Sequence, residues 1–151
     1  MAIRKATTED IDQLAVLFDQ YRVFYKYMSD LAAARTFLSD RMKRGESEIY
    51  ISEWDTGQIA GFVQLYPLFS STRMKKLWLL NDLFVDPNFR GRGISLMLID
   101  RAKQLAKETD SAGLLLETEK SNTIGNNLYP RAGFVADADH NYYSWNVDQS
   151  E

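Results

Sequence analysis

The most informative absence in this chain is that of cysteine, since none of its 151 residues is one. The chain therefore has no disulfide, no thiol nucleophile and no cysteine-ligated metal. Histidine is almost absent too, and a single residue, His140, excludes a metal site built from several imidazoles. We expect neither a resident metal ion nor covalent catalysis through a thiol.

Long apolar runs and an excess of basic charge are also missing. No stretch of 18 apolar residues occurs, and the first residues, MAIRKATTED, lack the apolar centre of a signal peptide. The 18 basic and 21 acidic residues give a net charge of −3, which disfavours a nucleic-acid partner and is compatible with a basic small substrate. We expect a cytoplasmic protein with no membrane partner.

What is present is the composition of an ordinary globular protein. Hydrophobic residues make up 45% of the chain and aromatic residues 13%, so its length is sufficient to bury one sizeable core. We find no internal repeat, low-complexity tract or linker of the Pro/Gly/Ser type. These features predict a single domain spanning residues 1–151.

Hydrophobic periodicity predicts three strands and two helices in the first half of the chain. A strand over AIRKA precedes a capping box, Thr7–Asp10, which begins a helix with apolar residues at helical spacing. A second helix begins at Ser29 or Asp30 and ends near Gly45. The aromatic segment between them, YRVFYKYM, is either the end of the first helix or a loop. The turn DTG then joins EIYISEW and QIAGFVQLYPLF as a hairpin.

The second half predicts further strands and helices in alternation. A strand over MKKLWLLNDLFV precedes a helix from about Gly91 to Glu108, and SAGLLLETE is a short apolar strand. A capped helix then runs through Tyr129, where Pro130 and Gly133 help to end it. GFVADA and NYYSWNV close the chain as strands. The whole order predicts a mixed α/β fold with helices on both faces of a central sheet.

The joint DPNFRGRGIS, residues 86–95, is the most informative short stretch. It lies between a buried strand and a helix, where the unpaired backbone N–H groups of the helix start attract anions. Gly91 and Gly93 remove side chains that would hold a ligand away, and Arg90 and Arg92 add positive charge. The joint therefore predicts a cradle for a pyrophosphate, although a tight turn with solvated arginines stays open.

Two familiar phosphate-binding motifs do not fit this joint. A Walker loop needs a lysine that is missing after Gly93, and a dinucleotide fingerprint needs a third glycine where Leu96 stands. A nucleotide- or phosphometabolite-binding module therefore remains only an alternative function for the cradle.

Two blocks of this sequence resemble motifs of the GNAT family of N-acetyltransferases. Arg90–Ser95 is similar to the family's Arg/Gln-x-x-Gly-x-Gly/Ala motif for acetyl-CoA, with serine in the last position. NTIGNNLYPRAGF, which begins at Asn122, resembles the family's Asn-x-x-Ala-x-x-Leu-Tyr-x-x-x-Gly-Phe stretch, with Gly125 in place of alanine. The resemblance implies a mostly antiparallel sheet with a V-shaped splay between LWLLNDLFV and SAGLLLETE. The family often forms homodimers, which makes one plausible here.

The resemblance also implies an activity and a set of contacts. An acetyl group passes from acetyl-CoA to a primary amine of a small molecule, polyamine or peptide, by direct attack in a ternary complex. Tyr129 donates a proton to the departing thiolate, as a neutral phenol can near pH 7. The residues expected to contact the cofactor are Leu83, Phe84, Val85, Arg90, Gly91, Arg92, Gly93, Ile94, Ser95, Asn122, Gly125, Asn126 and Tyr129.

The acceptor side of the site is less well defined by the sequence. Some relatives carry a glutamate on the strand before the cradle, where Asn81 and Asp82 lie here. Asn81 cannot be a base but can hold a water, whereas Asp82 can accept a proton, attract a cationic amine, or serve as a structural carboxylate. We expect Tyr25 and Glu117, with Asp82, to contact the amine. A non-catalytic acyl-CoA-binding domain that kept the cradle and lost turnover remains the main alternative.

Overall fold

The computed structural model describes residues 1–148, and the chain forms two compact units, Met1–Glu117 and Thr118–Glu151. The strands of the first unit are β1 (Ala2–Lys5), β2 (Glu48–Glu53), β3 (Ile59–Ser70), β4 (Lys75–Val85) and β5 (Leu114–Leu115). Its helices are α1 (Ile11–Phe24), α2 (Leu31–Lys43) and α3 (Ile94–Glu108), with short 3₁₀ turns at Thr8–Asp10 and Pro87–Phe89. The second unit contains α4 (Thr123–Arg131).

The sheet of the first unit has the strand order β1-β2-β3-β4-β5. Neighbouring strands are antiparallel except β4 and β5, which run parallel. Parallel neighbours need a long crossover, and here α3 supplies it. The predicted mixed fold with a mostly antiparallel sheet is confirmed.

Alternation along the strands divides the first unit into two layers of packing. Ile49 and Ile51 on β2 belong to the apolar core that α1 and α2 cover, together with Phe62 on β3. Tyr50, between them in sequence, lies on the other face, where the Arg101 guanidinium of α3 is 4.3 Å from its ring centre. Gly61 lets α3 approach this face, because an added Cβ would lie 3.4 Å from Leu98 and 2.9 Å from a backbone oxygen. Helices therefore cover both faces, as the pattern predicted.

The first two helices begin and end close to the predicted positions. The Thr7 backbone N–H donates to the Asp10 carboxylate at 2.7 Å, which is one half of a capping box. Asp30 caps α2 by accepting from the Ala33 N–H at 3.1 Å. The aromatic segment YRVFYKYM is both helix and loop, since α1 ends at Phe24 and the chain then turns.

Strand β4 has a partner along its whole length on one side only. Its pairing with β3 spans ten residue pairs, whereas its pairing with β5 is limited to Trp78↔Leu114 and Leu79↔Leu115. Beyond Leu79, β4 continues to Val85 without β5 beside it. The predicted V-shaped splay between these two strands would lie at this open part of β4.

The second unit differs from its prediction at two places. Pro130 lies inside α4 rather than ending it, because a proline in the last turn removes only one helical hydrogen bond. Gly133, with a φ of 95°, follows the helix directly and turns the chain. The predicted strands GFVADA and NYYSWNV are wrong over the described residues, where 134–148 form no strand. Their apolar pattern suits a strand, but a strand needs a hydrogen-bonded neighbour, and residues 118–148 of this unit form none.

Candidate active site

The open edge of β4 is defined by the hydrogen-bonding register of the sheet. The Asp86 N–H donates to Ala60 O at 2.8 Å, and in an antiparallel pair such bonded positions alternate along the strand. The backbone groups of Phe84 therefore face β3, whereas those of Leu83 and Val85 face the side where β5 has ended. Leu83 and Val85 are thus the residues of this strand, among those predicted to contact the cofactor, whose backbone lies on the open side.

The cradle follows this edge directly. Gly91 and Gly93 have φ angles of 78° and 76°, in the left-handed region that favours glycine. A Cβ added to either would meet no atom within 4 Å, so the space beside both glycines is open to a ligand. The Met97 N–H makes a helical bond to Gly93 O at 3.2 Å, and the N–H groups of the first turn before it have no carbonyl one turn back to bond. This geometry fits a pyrophosphate.

The two arginines of the cradle are held by aromatic rings. The Arg90 guanidinium lies 5.3 Å from the Phe84 ring centre, and its Nε donates to Val85 O at 3.0 Å. The Arg92 guanidinium lies over Trp54 at 5.3 Å and Phe89 at 5.9 Å. Cation–π contact of this kind orients the guanidinium while leaving its charge in place beside the cradle. Ile94 is buried and Ser95 half-buried, so they anchor the first turn of α3.

An open groove of about 390 Å³ lies beside the cradle. Val23 and Phe24, from the end of α1, line it together with Phe84 from β4, and Asp86 and Arg90 contribute its polar groups. Apolar and polar side chains both line this groove, a mixture that small-molecule sites also have. The groove is continuous with the joint that forms the cradle, since Asp86, Asn88 and Arg90 belong to both.

At the other end of the open edge, a β-bulge separates Asn81 from its neighbours. Gln64 pairs with Asp82 and Leu65 pairs with Leu80, so Asn81 is the extra residue. Its side chain amide donates to the Asp82 carboxylate at 3.1 Å, and its backbone oxygen accepts from the Tyr21 hydroxyl at 3.3 Å. Asn81 is exposed and Asp82 only 4% exposed, so the bulge places a polar surface residue beside a buried acid.

Asp82 is surrounded by neutral hydrogen-bond donors. The Gln64 amide donates to it at 2.7 Å and the Asn81 amide at 3.1 Å, and the nearby Tyr21 hydroxyl helps to lower its pKa. Burial raises the pKa of the Asp82 carboxyl above its usual range, and these hydrogen bonds only partly oppose the shift. Gln64 is fully buried, and its Oε1 has no hydrogen-bond partner among the described residues. A buried carboxyl without a cationic donor is suited to change its protonation state during a reaction.

The two other residues predicted to contact the substrate, Tyr25 and Glu117, lie in different parts of the first unit. Tyr25 is half-buried at the end of α1, with its ring 5.1 Å from the Tyr21 ring in an edge-on arrangement. Glu117 follows β5 by two residues and is exposed. Tyr25 is therefore connected to the bulge through Tyr21, and Glu117 lies in the segment that follows β5.

In the second unit, the predicted residues of α4 organise the start of that helix. Asn122 accepts from the Gly125 N–H at 3.1 Å and donates to Thr118 Oγ1 at 2.9 Å, which makes it the helix cap. Asn126 donates its amide to the backbone oxygens of Glu119, Lys120 and Asn122. Both side chains therefore fix the loop that leads into α4.

Gly125 and Tyr129 share one face of α4. A Cβ added to Gly125 would lie 2.6 Å from the Asn122 amide and 3.3 Å from the Tyr129 ring, so the position is filled by its own unit. Tyr129 is half-buried, and Phe134 packs edge-on against its ring at 5.8 Å. The helix thus presents a tyrosine of defined orientation.

His140 lies in an exposed turn of the second unit. Its Nδ1 is 2.8 Å from the Asp137 carboxylate, which also accepts from the Asp139 N–H. The Asp139 N–H and then the His140 ring lower the pKa of Asp137 to about 2.

No group of three or more potential metal-ligating residues occurs in the described part of the chain, residues 1–148. None of its helices is long and apolar enough to cross a membrane.

Sequence reasoning missed three residues of this site, namely Tyr21, Trp54 and Gln64. Trp54 supports Arg92 from the β2–β3 hairpin. Gln64 on β3 donates to Asp82, and Tyr21 on α1 donates to the backbone oxygen of Asn81. The only available signal was Gln64, a polar residue inside the apolar run GFVQLY. The other two look like ordinary aromatic packing in the sequence.

Comparisons with known proteins agree with this geometry. The sequence model of the acetyltransferase (GNAT) family matches residues 12–134. The uncharacterized N-acetyltransferase YhfO of Bacillus subtilis is 43% identical over 97% of this chain and 98% of its own length. A probable acetyltransferase of Haemophilus influenzae is 32% identical over 78% of this chain and 80% of its own.

Solved structures give the same result. The crystal structure of a probable acetyltransferase has a TM-score of 0.93 and 37% identity, covering 97% of this chain and 98% of that chain. A ribosomal-protein-alanine N-acetyltransferase from Brucella melitensis has a TM-score of 0.79 and 25% identity, covering 97% and 99%. The open strand edge, the glycine cradle and these matches together place the chain in the acetyltransferase (GNAT) family, and it is an N-acetyltransferase.

Proposed function

We propose that this protein, working as a single domain, transfers an acetyl group from acetyl-CoA to a primary amine by direct attack in a ternary complex. The observation that carries the proposal is the open backbone edge of Leu83 and Val85, which leads into the glycine cradle. A cytoplasmic location and a homodimer stay predictions of the sequence.

The donor side fits acetyl-CoA in chemistry and in order along the chain. The Leu83 backbone and the Val85 N–H are available to pair with the amides of the pantetheine arm, as a strand would pair with a sheet edge, whereas Val85 O already accepts from Arg90. The helix start after Gly93 and the two arginines would then hold the pyrophosphate. Acetyl-CoA supplies an acyl group already activated as a thioester.

The acceptor side fits an amine that must lose a proton before it attacks. We assign the Asp82 carboxylate as the acceptor of that proton and Asn81 as a group that positions water or the amine. Tyr25 and Glu117 complete the acceptor side, with Glu117 attracting a cationic amine. The acceptor class includes small amines, polyamines and peptide amines, and the Brucella relative is named for the alanine of a ribosomal protein.

Tyr129 is assigned the remaining proton transfer, to the thiolate that leaves. Its phenol is a neutral donor, and packing against Phe134 limits the directions in which the hydroxyl can point. The proposal predicts that Tyr129→Phe lowers turnover about 10²–10⁴-fold while CoA affinity is nearly kept. Tyr142→Phe, which removes an exposed hydroxyl bonded to Asp137 in the same unit, is the matched control. Equal rates for Tyr129→Phe and the wild type would remove Tyr129 from the mechanism.

The acceptor class is identified by one experiment. It measures thiol release from acetyl-CoA with polyamines, amino acids, aminoglycosides, arylamines and a basic peptide. Release with one class supports the proposed transfer and identifies the acceptor. CoA binding without release from any class would overturn transfer to these amines.

The cradle is tested separately by a pair of glycine variants. Gly93→Val and Gly57→Val both place a branched residue at a positive φ, 76° and 86°, where a Cβ meets no neighbour. Both should therefore lose similar stability, on the order of 1–2 kcal/mol. Only Gly93→Val should weaken CoA binding severely, as measured by calorimetry. Normal CoA binding by a folded Gly93→Val protein would contradict the assignment of the cradle as the pyrophosphate site.

A further inference from the structure

Asp82 has no direct route to a bound amine. The carboxylate is 4% exposed, and its hydrogen bond to Gln64 is buried. An amine in solution or in the open groove cannot contact a group enclosed to this extent. If Asp82 takes the proton, a second group must carry it there.

The Tyr21 hydroxyl is placed to be that group. It donates to Asn81 O at 3.3 Å, in a contact that is exposed to solvent, and it lies near enough to the Asp82 carboxyl to help lower the pKa of that group. The hydroxyl therefore lies between a backbone carbonyl at the surface and the buried acid that follows it in sequence. Tyr21 is the point at which the buried network reaches solvent.

The ring of Tyr21 is held firmly in this position. Phe62 and Phe84 meet it edge-on, each with ring centres 6.0 Å away, and Phe18 stacks at 6.2 Å. Tyr25 lies edge-on at 5.1 Å on the side of the predicted acceptor. The hydroxyl is thus fixed between the acid in the sheet and the aromatic end of α1.

We propose that Tyr21 is a catalytic residue that relays the proton of the acceptor ammonium to Asp82. This inference rests on the proposed function. The Tyr21 oxygen takes a proton from the ammonium nitrogen as the Tyr21 hydroxyl gives its own proton to an Asp82 oxygen. One N–H and one O–H bond break, and one O–H bond forms on each residue. The nitrogen keeps its electron pair for attack on the thioester carbonyl.

The surroundings of Asp82 are consistent with this role. From β3, Gln64 donates a neutral hydrogen bond, and Tyr66 carries a phenol whose pKa is raised by burial and then by Asp82. From α2, the charge of Arg41 acts on Tyr66 and partly opposes that rise. From β4 comes the neutral amide of Asn81. Tyr21 is therefore the titratable group that both lies beside Asp82 and reaches solvent.

The test is the pH dependence of kcat/KM for Tyr21→Phe with the best aliphatic amine of the panel. The loss should be about 10²-fold near neutral pH and should shrink about tenfold per pH unit as the amine, with a pKa near 10, deprotonates in solution. A structural loss would be the same at every pH. Tyr50→Phe, which removes the hydroxyl of a buried tyrosine under Arg101, is the matched control and should follow the wild-type profile.

Two further measurements keep the outcome clear. Phenylalanine retains the ring packing of Tyr21, so the melting temperature should stay close to that of the wild type. The double variant Tyr21→Phe/Asp82→Asn should lose no more activity than Asp82→Asn alone, because both act in one path. If the wild type transfers acetyl groups and the pH profile of kcat/KM for Tyr21→Phe runs parallel to that of the wild type, the relay is overturned and the proposed function stands. A wild type inert towards every amine overturns the relay together with the proposed function.

Discussion

Two buried aspartates in the first unit are treated in opposite ways by the fold. Asp10, at the start of α1, is 8% exposed, and Asp82, on β4, is 4% exposed. The pKa of Asp10 is lowered, whereas the pKa of Asp82 is raised. Burial alone therefore does not decide the charge of a carboxyl; its donors do.

The donors of Asp10 are cationic. Arg4 contacts both oxygens of the carboxylate at 2.8 Å in a bidentate pair, and this hydrogen bonding is the main cause of the lowered pKa. The Thr7 N–H adds a backbone bond at 2.7 Å. Asp10 ties β1 to the start of α1 and serves stability.

The donors of Asp82 are neutral, so the cost of burying its charge is not offset by a cation. Buried carboxyls with a raised pKa and no cationic partner are typical of functional sites, where the change of protonation state is used. The contrast with Asp10 is what favours a functional role for Asp82.

The largest expected effect is a difference in kcat between variants of the two aspartates. Asp82→Asn should lower kcat about 10²–10⁴-fold near neutral pH, because the proton acceptor is lost while the shape is kept. Asp10→Asn should leave kcat close to that of the wild type, because Asp10 stabilises the fold and takes no part in the proposed reaction. Steady-state thiol release with the best amine measures both. Similar kcat values for the two variants would break the comparison.

The next effect reverses the order of the two residues. Asp10→Asn should lower the free energy of unfolding at neutral pH by about 1–2 kcal/mol, since a charged hydrogen-bonded pair is lost while Arg4 keeps Glu53. Asp82→Asn should leave stability unchanged or raise it, because a buried charge is removed. Urea denaturation of the two variants measures the difference. A large loss of stability in Asp82→Asn would show that its ionised form supports the fold.

The pH dependence of stability should differ in sign. The folded pKa of Asp10 lies below 3.8, so its contribution is present above that pH and disappears as pH falls through the folded pKa. The folded pKa of Asp82 lies above 3.8, so its ionisation opposes folding increasingly as pH rises from 3.8 to the folded value. Melting temperatures across acidic pH should therefore show Asp10→Asn approaching the wild type at low pH. Asp82→Asn should gain on the wild type as pH rises.

The smallest effect concerns one neutral donor. Gln64→Leu removes a hydrogen bond to the ionised form of Asp82, and this should raise the pKa of that carboxyl further. The pH at which kcat/KM falls on the acidic side should rise by about one unit, because one pKa unit corresponds to roughly the free energy of one hydrogen bond. Gln13→Leu removes a side chain that bonds the β2–β3 hairpin instead and should leave this pH unchanged. An unchanged pH in Gln64→Leu would separate Asp82 from the titration.

The first unit was largely predictable because its signals are local. Strand alternation, the Asp30 cap and the hairpin turn each depend on a few neighbouring residues, and all appear close to the predicted positions. The second unit shows the limit of such signals. Residues 134–148 carry an apolar pattern suited to strands, yet Tyr143 is 90% exposed and no strand forms there. A periodic pattern selects which face is buried only when a partner strand is present.

The sequence by itself determined the cradle, because that site is made of backbone. Gly91 and Gly93 set the local dihedral angles, and the start of α3 supplies the unpaired N–H groups whatever lies elsewhere in the chain. Only the tertiary structure decided the surroundings of Asp82. Its partners come from positions 18 and about 60 residues away, on β3 and α1, and the number of such pairings is too large for a pattern to specify. A backbone site follows from conformation, whereas a side-chain site depends on which distant surfaces the packing brings together.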